Sequence, residues 1–553
     1  MQIIKMKRVI TILISLFVAF SVNAQMKDFV ILGGELSNSA ATSVSDIDEV
    51  LPRMKALGLN TVLVPVYWEF LEPVEGQMDF TLVDRTIEIA RQQSLKIVPL
   101  WFGAWKNSMS CYAPAWFKRD VKRFPRAMTA EGKPLEIASC FSDNVLQADL
   151  KAFSALMQHI AEKDPQREVV IMMQIENEIG MLESARDHSP LAEKAYKEER
   201  WAERYGTDDY ADEKFMALHY ARYVEHLAKA ARRIHDMPLY VNAAMNSRGR
   251  KPGEYPSAGP LAHLADIWKA GAPSIDILAP DIYDTGFKSW ASQYAMPLRP
   301  QDGGKIKNRL FIPESRCCEN SGVRALYAFG EHQALGFSPF AIDQASPKET
   351  ESVTQAYALL NQIFRIKTNA VANWLSPSGR RAIPSSLFTF HSSLNTWGLL
   401  FDQDDKERVI DDEGVVMTCR HYFTLPWDSR ATDGSTWPEG GAMLIRLGKY
   451  DYLLAGSGVV VDFKTRTEKQ QEQQKQLGED GFAEAGTATV NGPWSMFKGS
   501  RLGLLSVDEV TIDHQGQMQY LRRHNGDQSH QGRHARISVG DWKILHIQLY
   551  EYK

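Results

Sequence analysis

From Asp28 to about Leu375 the chain alternates short runs rich in β-branched residues with longer stretches whose apolar positions recur at helical spacing. The strand-like runs fall at 29–36, 61–68, 96–101, 169–175, 239–244, 275–282, 309–313 and 336–342. Between them, 46–57, 81–93, 145–163, 210–235 and 350–368 carry amphipathic helical patterns with few internal breakers. A repeated strand, loop and helix predicts a parallel sheet covered by helices, and eight such strands predict a closed α/β (β/α)8 TIM barrel. The charged segment 186–204 reads as a solvated helical insertion after the fourth strand.

After Trp374 the pattern changes. Ser376-Pro377-Ser378-Gly379 and Pro384-Ser385-Ser386 punctuate the chain, and the remaining residues are strand-like without intervening helices. Strands are expected at 443–446 and 450–463, with turns at Gly440-Gly441 and Gly456-Ser457-Gly458. The glutamine-rich stretch 468–476 reads as an exposed loop or short helix, and 525–533 as a structural hairpin. The expected division is a leader over 1–24, a catalytic barrel over 25–380 and a smaller all-β, sandwich-like accessory domain over 381–553.

The leader rests on Lys5, Lys7 and Arg8 ahead of the apolar run 9–20, followed by Val22-Asn23-Ala24, which offers small residues where a signal peptidase reads. The run is shorter than the ~20 residues of a membrane-spanning helix. Export to a bacterial periplasm or beyond is therefore expected, with cleavage near Ala24 and no membrane attachment afterwards. Cleavage removes three positive charges from a chain whose formal charge is already −5, which disfavours nucleic acid as a partner. The five cysteines show no CxxC spacing, and none of the 14 histidines falls in an HExxH pattern. A structural zinc site is not expected, and the cysteines read as unpaired.

In a barrel, chemistry sits where strands end and loops begin. The fourth strand ends in Gln174-Ile175-Glu176-Asn177-Glu178-Ile179-Gly180 and the seventh in Pro313-Glu314-Ser315-Arg316. Carboxylates at the mouth of an apolar strand are costly unless paired or used. Strands four and seven face each other, and retaining glycosidic cleavage needs two carboxyl groups about 5 to 5.5 Å apart, one protonated and one ionised. Regular strand alternation puts Glu176 and Glu178 on one side and Asn177 on the other, so the pattern alone does not choose between the two glutamates.

These stretches, with Gly58-Leu59-Asn60, Trp68-Glu69-Phe70-Leu71-Glu72-Pro73, Gly76-Gln77-Met78-Asp79-Phe80 and Pro114-Ala115-Trp116, resemble glycoside hydrolase family 35, the β-galactosidases, over roughly residues 28–375. The resemblance implies Glu178 as acid/base, Glu314 as nucleophile, Asn177 on the sugar 2-hydroxyl, Tyr283 orienting the nucleophile, and Glu176 in support. It also implies a bacterial subgroup that includes enzymes trimming galactose from xyloglucan side chains. Three stretches depart from the family pattern: Pro65-Val66-Tyr67-Trp68 on the second strand, Trp105-Lys106-Asn107 after the third, and Ser315-Arg316 after the nucleophile. Lys106 and Asn107 are then expected to donate to sugar hydroxyls, and Trp105 and Tyr112 to contact the sugar, while Trp116 is structural.

Together these features point to a retaining exo-β-galactosidase with a carbohydrate substrate, needing neither metal nor organic cofactor. The same machinery acting on α-L-arabinopyranose is the enzymatic alternative, and a catalytically silent sugar-binding protein is the alternative of another class. The sequence does not reveal the oligomeric state.

Overall fold

The computed structural model describes residues 29–295, 308–366, 395–425, 427–473, 499–530 and 532–553. The leader and the expected boundary at 376–386 lie outside them. The chain divides into two compact units, one holding 31–317 and 334–346, the other 318–333 and 347–553.

All eight expected barrel strands form: β1 (Ile31–Glu35), β2 (Thr61–Tyr67), β3 (Lys96–Phe102), β4 (Met173–Gln174), β5 (Leu239–Ala244), β6 (Ile277–Ile282), β7 (Phe311–Ile312 and Glu314–Ser315) and β8 (Gly336–Phe337). They pair in parallel in the order β1 to β6, and β1 pairs with β8. Closure comes through the two halves of β7. Phe311–Ile312 pairs with β8, whereas Glu314–Ser315 pairs with β6. Pro313 separates them; a proline has no N–H to give a ladder, so the strand changes partner there. The fourth strand is shorter than the pattern predicts, but the ladder extends beyond it, with Ile97 N donating to Val169 O at 2.8 Å and Ile175 N to Tyr240 O at 3.0 Å.

The predicted helices appear as α1 (Val44–Ala56), α2 (Thr81–Gln92), α3 (Asp143–Lys163), α4 (Asp209–Ile234) and α8 (Pro347–Ile363). Side-chain caps define their starts: Asp46 N donates to Ser43 Oγ, and Ala211 N to Asp208 Oδ1. Three further helices carry weaker sequence signals: α5 (Ala265–Gly271), α6 (Phe287–Tyr294) and α7 (Ser321–His332). The first two are short, and α7 has Gly322 and Gly330 inside it. The charged insertion is helical, as Pro190–Glu198 and Trp201–Tyr205.

In the second unit, six strands order as β9 (Thr396–Phe401), β12 (Gly440–Gly448), β13 (Asp451–Ser457), β18 (Lys543–Tyr552), β15 (Arg501–Ile512) and β16 (Met518–Arg523). Four more order as β10 (Glu407–Asp412), β11 (Val415–His421), β14 (Val459–Thr465) and β17 (His534–Ile537). Both sheets are antiparallel, and one buried cluster draws Leu399, Leu444, Leu454 and Ile547 from the first and Met417, Val461 and Ile537 from the second. This is a sandwich, with α7 and α8 belonging to the same compact unit.

Two local expectations change. Gly440-Gly441 lies inside β12 rather than in a turn, because a Cβ at Gly441 would meet Leu399 O at 2.8 Å and only a bare backbone fits. The 525–533 stretch is not a hairpin: β16 pairs with β15 and β17 with β14, so it crosses between sheets and includes a 3-10 turn at Asp527–Ser529.

Candidate active site

Seven of the residues that matter stand at or just beyond the C-terminal ends of barrel strands. Glu35 ends β1, Asn177 and Glu178 follow β4, Asn242 lies on β5, Asp281 and Tyr283 are at the end of β6, and Glu314 is in β7. The Lys106-Asn107 loop follows β3.

Backbone conformation resolves the ambiguity between the two glutamates. Glu176 has φ 55° and Glu178 φ 45°, both left-handed, so the regular alternation of a strand fails here. Glu176 turns away from the mouth and is fully buried; Trp105 N donates to its Oε2 at 2.8 Å. A Cβ at Gly103 would stand 2.9 Å from both Glu176 Oε1 and Asp149 Oδ1, so glycine makes room for this carboxyl pair. Asp149 also accepts Trp101 Nε1 at 2.9 Å and Tyr223 Oη at 2.7 Å. Burial, and then the Asp149 charge, hold the Glu176 carboxyl well above the usual range. The pair is an anchor behind the site.

Asn177 and Glu178 face the mouth instead. Asn177 Nδ2 donates to Glu314 Oε1 at 3.3 Å while Lys106 Nζ donates to Asn177 Oδ1 at 2.8 Å. Asn107 Nδ2 donates to Glu178 Oε2. Asn107 and Ser108 are left-handed too, at φ 49° and 56°. Non-glycine residues in this region cost of order 1 kcal/mol each, so the two facing loops hold strain at the point where they present Asn107 and Glu178.

Glu314 is 3% exposed and receives three donors: Asn177 Nδ2, Asn242 Nδ2 at 3.2 Å and Tyr283 Oη at 2.9 Å. Three donors to one carboxyl group fix its direction. Glu178 is in the opposite situation. Burial first, and the Glu314 charge second, push its carboxyl up to about 7, against the opposing pull of Lys106. Carboxylate oxygens of Glu178, Asp281 and Glu314 lie within 4.8 Å of one another. Asp281 accepts Asn242 Nδ2 at 2.8 Å, and burial with the Glu314 and Glu178 charges raises it far above an ordinary aspartate. These three acids are also the group among the described residues that has the geometry to hold a cation.

The structure thus brings Glu178, Glu314, Asn177, Tyr283, Lys106 and Asn107 together. Three other expected residues make their contacts with protein. Trp105 is fully buried, its ring edge-on to Tyr220 and Tyr223, so it packs the barrel wall rather than stacking on a ligand. Tyr112 packs against Tyr67 and Phe102, with its hydroxyl donating to Asn38 O at 3.4 Å. Glu176 is a support and not a sugar contact. Sequence reasoning passed over Glu35, Asn242, Asp281 and Asp149. For Asn242 and Asp281 a signal existed, a polar residue inside the apolar runs LYVNAA and ILAPDI. A separate apolar cavity of about 390 Å³, walled by Val64, Val66, Ile87, Ile97 and Ile160, contains none of these acids.

A (β/α)8 barrel with two unlike carboxyls opposed at its mouth is the arrangement glycoside hydrolases use. Comparison with known proteins agrees: residues 40–225 match the Glyco_hydro_42 family model, described as Beta-galactosidase, and residues 387–536 match a Domain of unknown function (DUF5597). The family whose model matches this stretch is family 42 and not the expected family 35. Short strand-end motifs report what the reaction needs, and that is not specific to one family. Beta-galactosidases of Thermus thermophilus and of Thermus sp. (BgaA) are each 24% identical over 279 residues, which is 45% of this chain and 40% of theirs. The alignment therefore spans less than half the length of these relatives. The crystal structure of beta-galactosidase from Bacillus circulans sp. alkalophilus is similar with a TM-score of 0.46 at 15% identity, covering 61% of this chain and 57% of that one.

Proposed function

We propose that this protein is a retaining exo-β-galactosidase in which Glu178 is the acid/base and Glu314 the nucleophile. The observation that carries the reading is the contrast between the two carboxyls: Glu314 is held by three donors, whereas Glu178 is desolvated and raised to about 7 with its oxygen within 4.8 Å of Glu314. Oxygens this close suit direct attack better than the carboxyl separation of ~6.5–9.5 Å at which inverting enzymes place a water.

In this mechanism Glu314 attacks the anomeric carbon as Glu178 protonates the departing oxygen. The glycosyl ester at Glu314 is then opened by water, whose proton passes to the ionised Glu178, restoring both groups. Asn177, held by Lys106, is assigned to the sugar 2-hydroxyl, and Tyr283, donating to Glu314, keeps the nucleophile aligned. The substrate is a terminal β-galactoside of a plant-type glycan such as a xyloglucan side chain, and the leader over 1–24 directs the enzyme out of the cytoplasm.

Hydrolysis of 4-nitrophenyl β-D-galactopyranoside and α-L-arabinopyranoside, with product anomers followed by NMR, tests the reading. β-Galactose should appear first, and activity should collapse in Glu178→Gln and Glu314→Gln. Initial release of α-galactose would exclude retention. Sugar binding without turnover would make the protein a silent lectin-like barrel, and preference for the arabinopyranoside would change the glycone.

A further inference from the structure

Away from the carboxyl pair, the barrel unit contains an apolar slot that the proposed chemistry does not use. It measures about 390 Å³ and lies between the outer faces of β2 and β3 and the inner face of α2. Val64 and Val66 alternate onto one side of β2, and Pro99, the register partner of Val64, continues that side on β3. Val83, Thr86 and Ile87 stand opposite, at i, i+3 and i+4 of the helix. Ile97, Ile160 and Val170 are buried and close the floor, whereas Phe70, 40% exposed, forms an open rim with Pro73 and Thr81. Ile97 pairs with Val62, four residues below Val66, so at ~3.3 Å per residue the slot runs ~13 Å along the strands.

A space of that size exceeds ordinary packing slack. Protein interiors hold few voids larger than a water molecule, and an apolar cavity of about 150 Å³ already takes up benzene. The walls also define the chemistry of the occupant. Among the described residues that line the slot, Asp79 alone is charged, and it stands in the exposed stretch at the rim, accepting Thr81 N at 2.9 Å. Thr86 Oγ1 donates to Leu82 O at 2.8 Å and Thr42 Oγ1 to Asp46 Oδ2 at 3.0 Å, so these hydroxyls are spent on the protein. A charged group inside would lose its water without gaining a counter-ion, whereas a hydrocarbon chain exchanges water for apolar walls.

We propose that this slot binds a free medium-chain alkyl compound with an uncharged head group, the chain lying along β2 and β3 beneath α2 and the head at the rim beside Phe70 and Thr81. A slot that is long in the strand direction and bounded by one helix suits a single extended chain. The Asp79 carboxylate at the entrance disfavours an anionic head. The assignment uses none of the catalytic acids and stands apart from the hydrolase reading.

The test is calorimetric titration of the full chain with octan-1-ol, butan-1-ol and octanoate, repeated on Val66→Trp and Val83→Phe with thermal melting as the check on folding. The two substitutions fill the slot from opposite walls and touch no residue of the carboxyl pair. The parent should bind octan-1-ol at a single site, butan-1-ol at least ~10-fold more weakly for want of four buried methylenes, and octanoate at least ~10-fold more weakly for its charge. Each variant should melt cooperatively and bind octan-1-ol at least ~10-fold more weakly than the parent. Should one variant fail to fold, the other decides. A parent that does not bind octan-1-ol, equal affinity for octanoate or butan-1-ol, or undiminished binding in a variant that melts cooperatively would each overturn the assignment.

Discussion

Asn242 links both halves of the carboxyl pair: its Nδ2 donates to Glu314 Oε1 at 3.2 Å, and its Oδ1 accepts the backbone N–H of Glu178 at 3.0 Å. A single amide on β5 thus fixes the Glu314 carboxyl group and the backbone that presents Glu178. Hydrogen bonds to charged groups contribute about 1.5–3 kcal/mol. Asn242→Ala should accordingly lower kcat/KM by roughly 10- to 100-fold. Asn242→Asp should be worse, since it adds a carboxyl to a site already crowded with them. Steady-state kinetics on an aryl galactoside checks both.

The raised carboxyl of Glu178 sets an alkaline limit. As a general acid it must be protonated, so kcat/KM should decline above about pH 7. Lys106 opposes the rise, so Lys106→Met should move this limb to higher pH while also freeing Asn177 and lowering the rate. A limb that stays put in Lys106→Met would mean that Glu178 is not the group titrating.

The same group affects stability. A folded pKa above the unfolded value means the native state retains a proton that the unfolded chain has lost, so stability falls as pH rises from about 4.5 to about 7 and is level beyond. Removing the group removes the slope. Glu178→Gln should match the parent at pH 4 and exceed it at pH 8, by up to about 3 kcal/mol if the shift is fully expressed. Urea denaturation at the two pH values measures the difference.

Trp105 is predicted to behave as core. Trp105→Ala should cost ~3–5 kcal/mol of stability, as large aromatic truncations do. Trp105→Phe should leave KM within about threefold. An altered KM in Trp105→Phe with unchanged melting would return the indole to the sugar.

In the β-rich unit, Arg324 of α7 meets Glu439 with two bonds, Nε to Oε2 at 2.7 Å and Nη2 to Oε1 at 2.6 Å, with both side chains largely shielded. Breaking such a pair strands a charge, at a cost of ~3–5 kcal/mol when fully buried. Glu439→Ala should show most of that loss in a denaturant melt, and the double variant with Arg324→Met should recover part of it.

The sequence by itself determined the barrel, because eight apolar runs separated by amphipathic helices have few other ways to bury themselves, and each run recurs as a strand. It also exposed Glu178 and Glu314, since a carboxyl at the end of an apolar strand stands out against its neighbours. Strand alternation did not show which of Glu176 and Glu178 faces the mouth, although the family resemblance favoured Glu178. That was decided by two left-handed backbone angles, which depend on how the β4 segment meets the strained loop after β3. Tertiary structure likewise decided that Trp105 is wall rather than platform, and that Glu35, Asn242 and Asp281, widely separated in the chain, converge with Glu314 in one mouth. Convergence of that kind is a product of barrel closure through the divided seventh strand, where Pro313 withholds a hydrogen bond and lets one strand serve two neighbours.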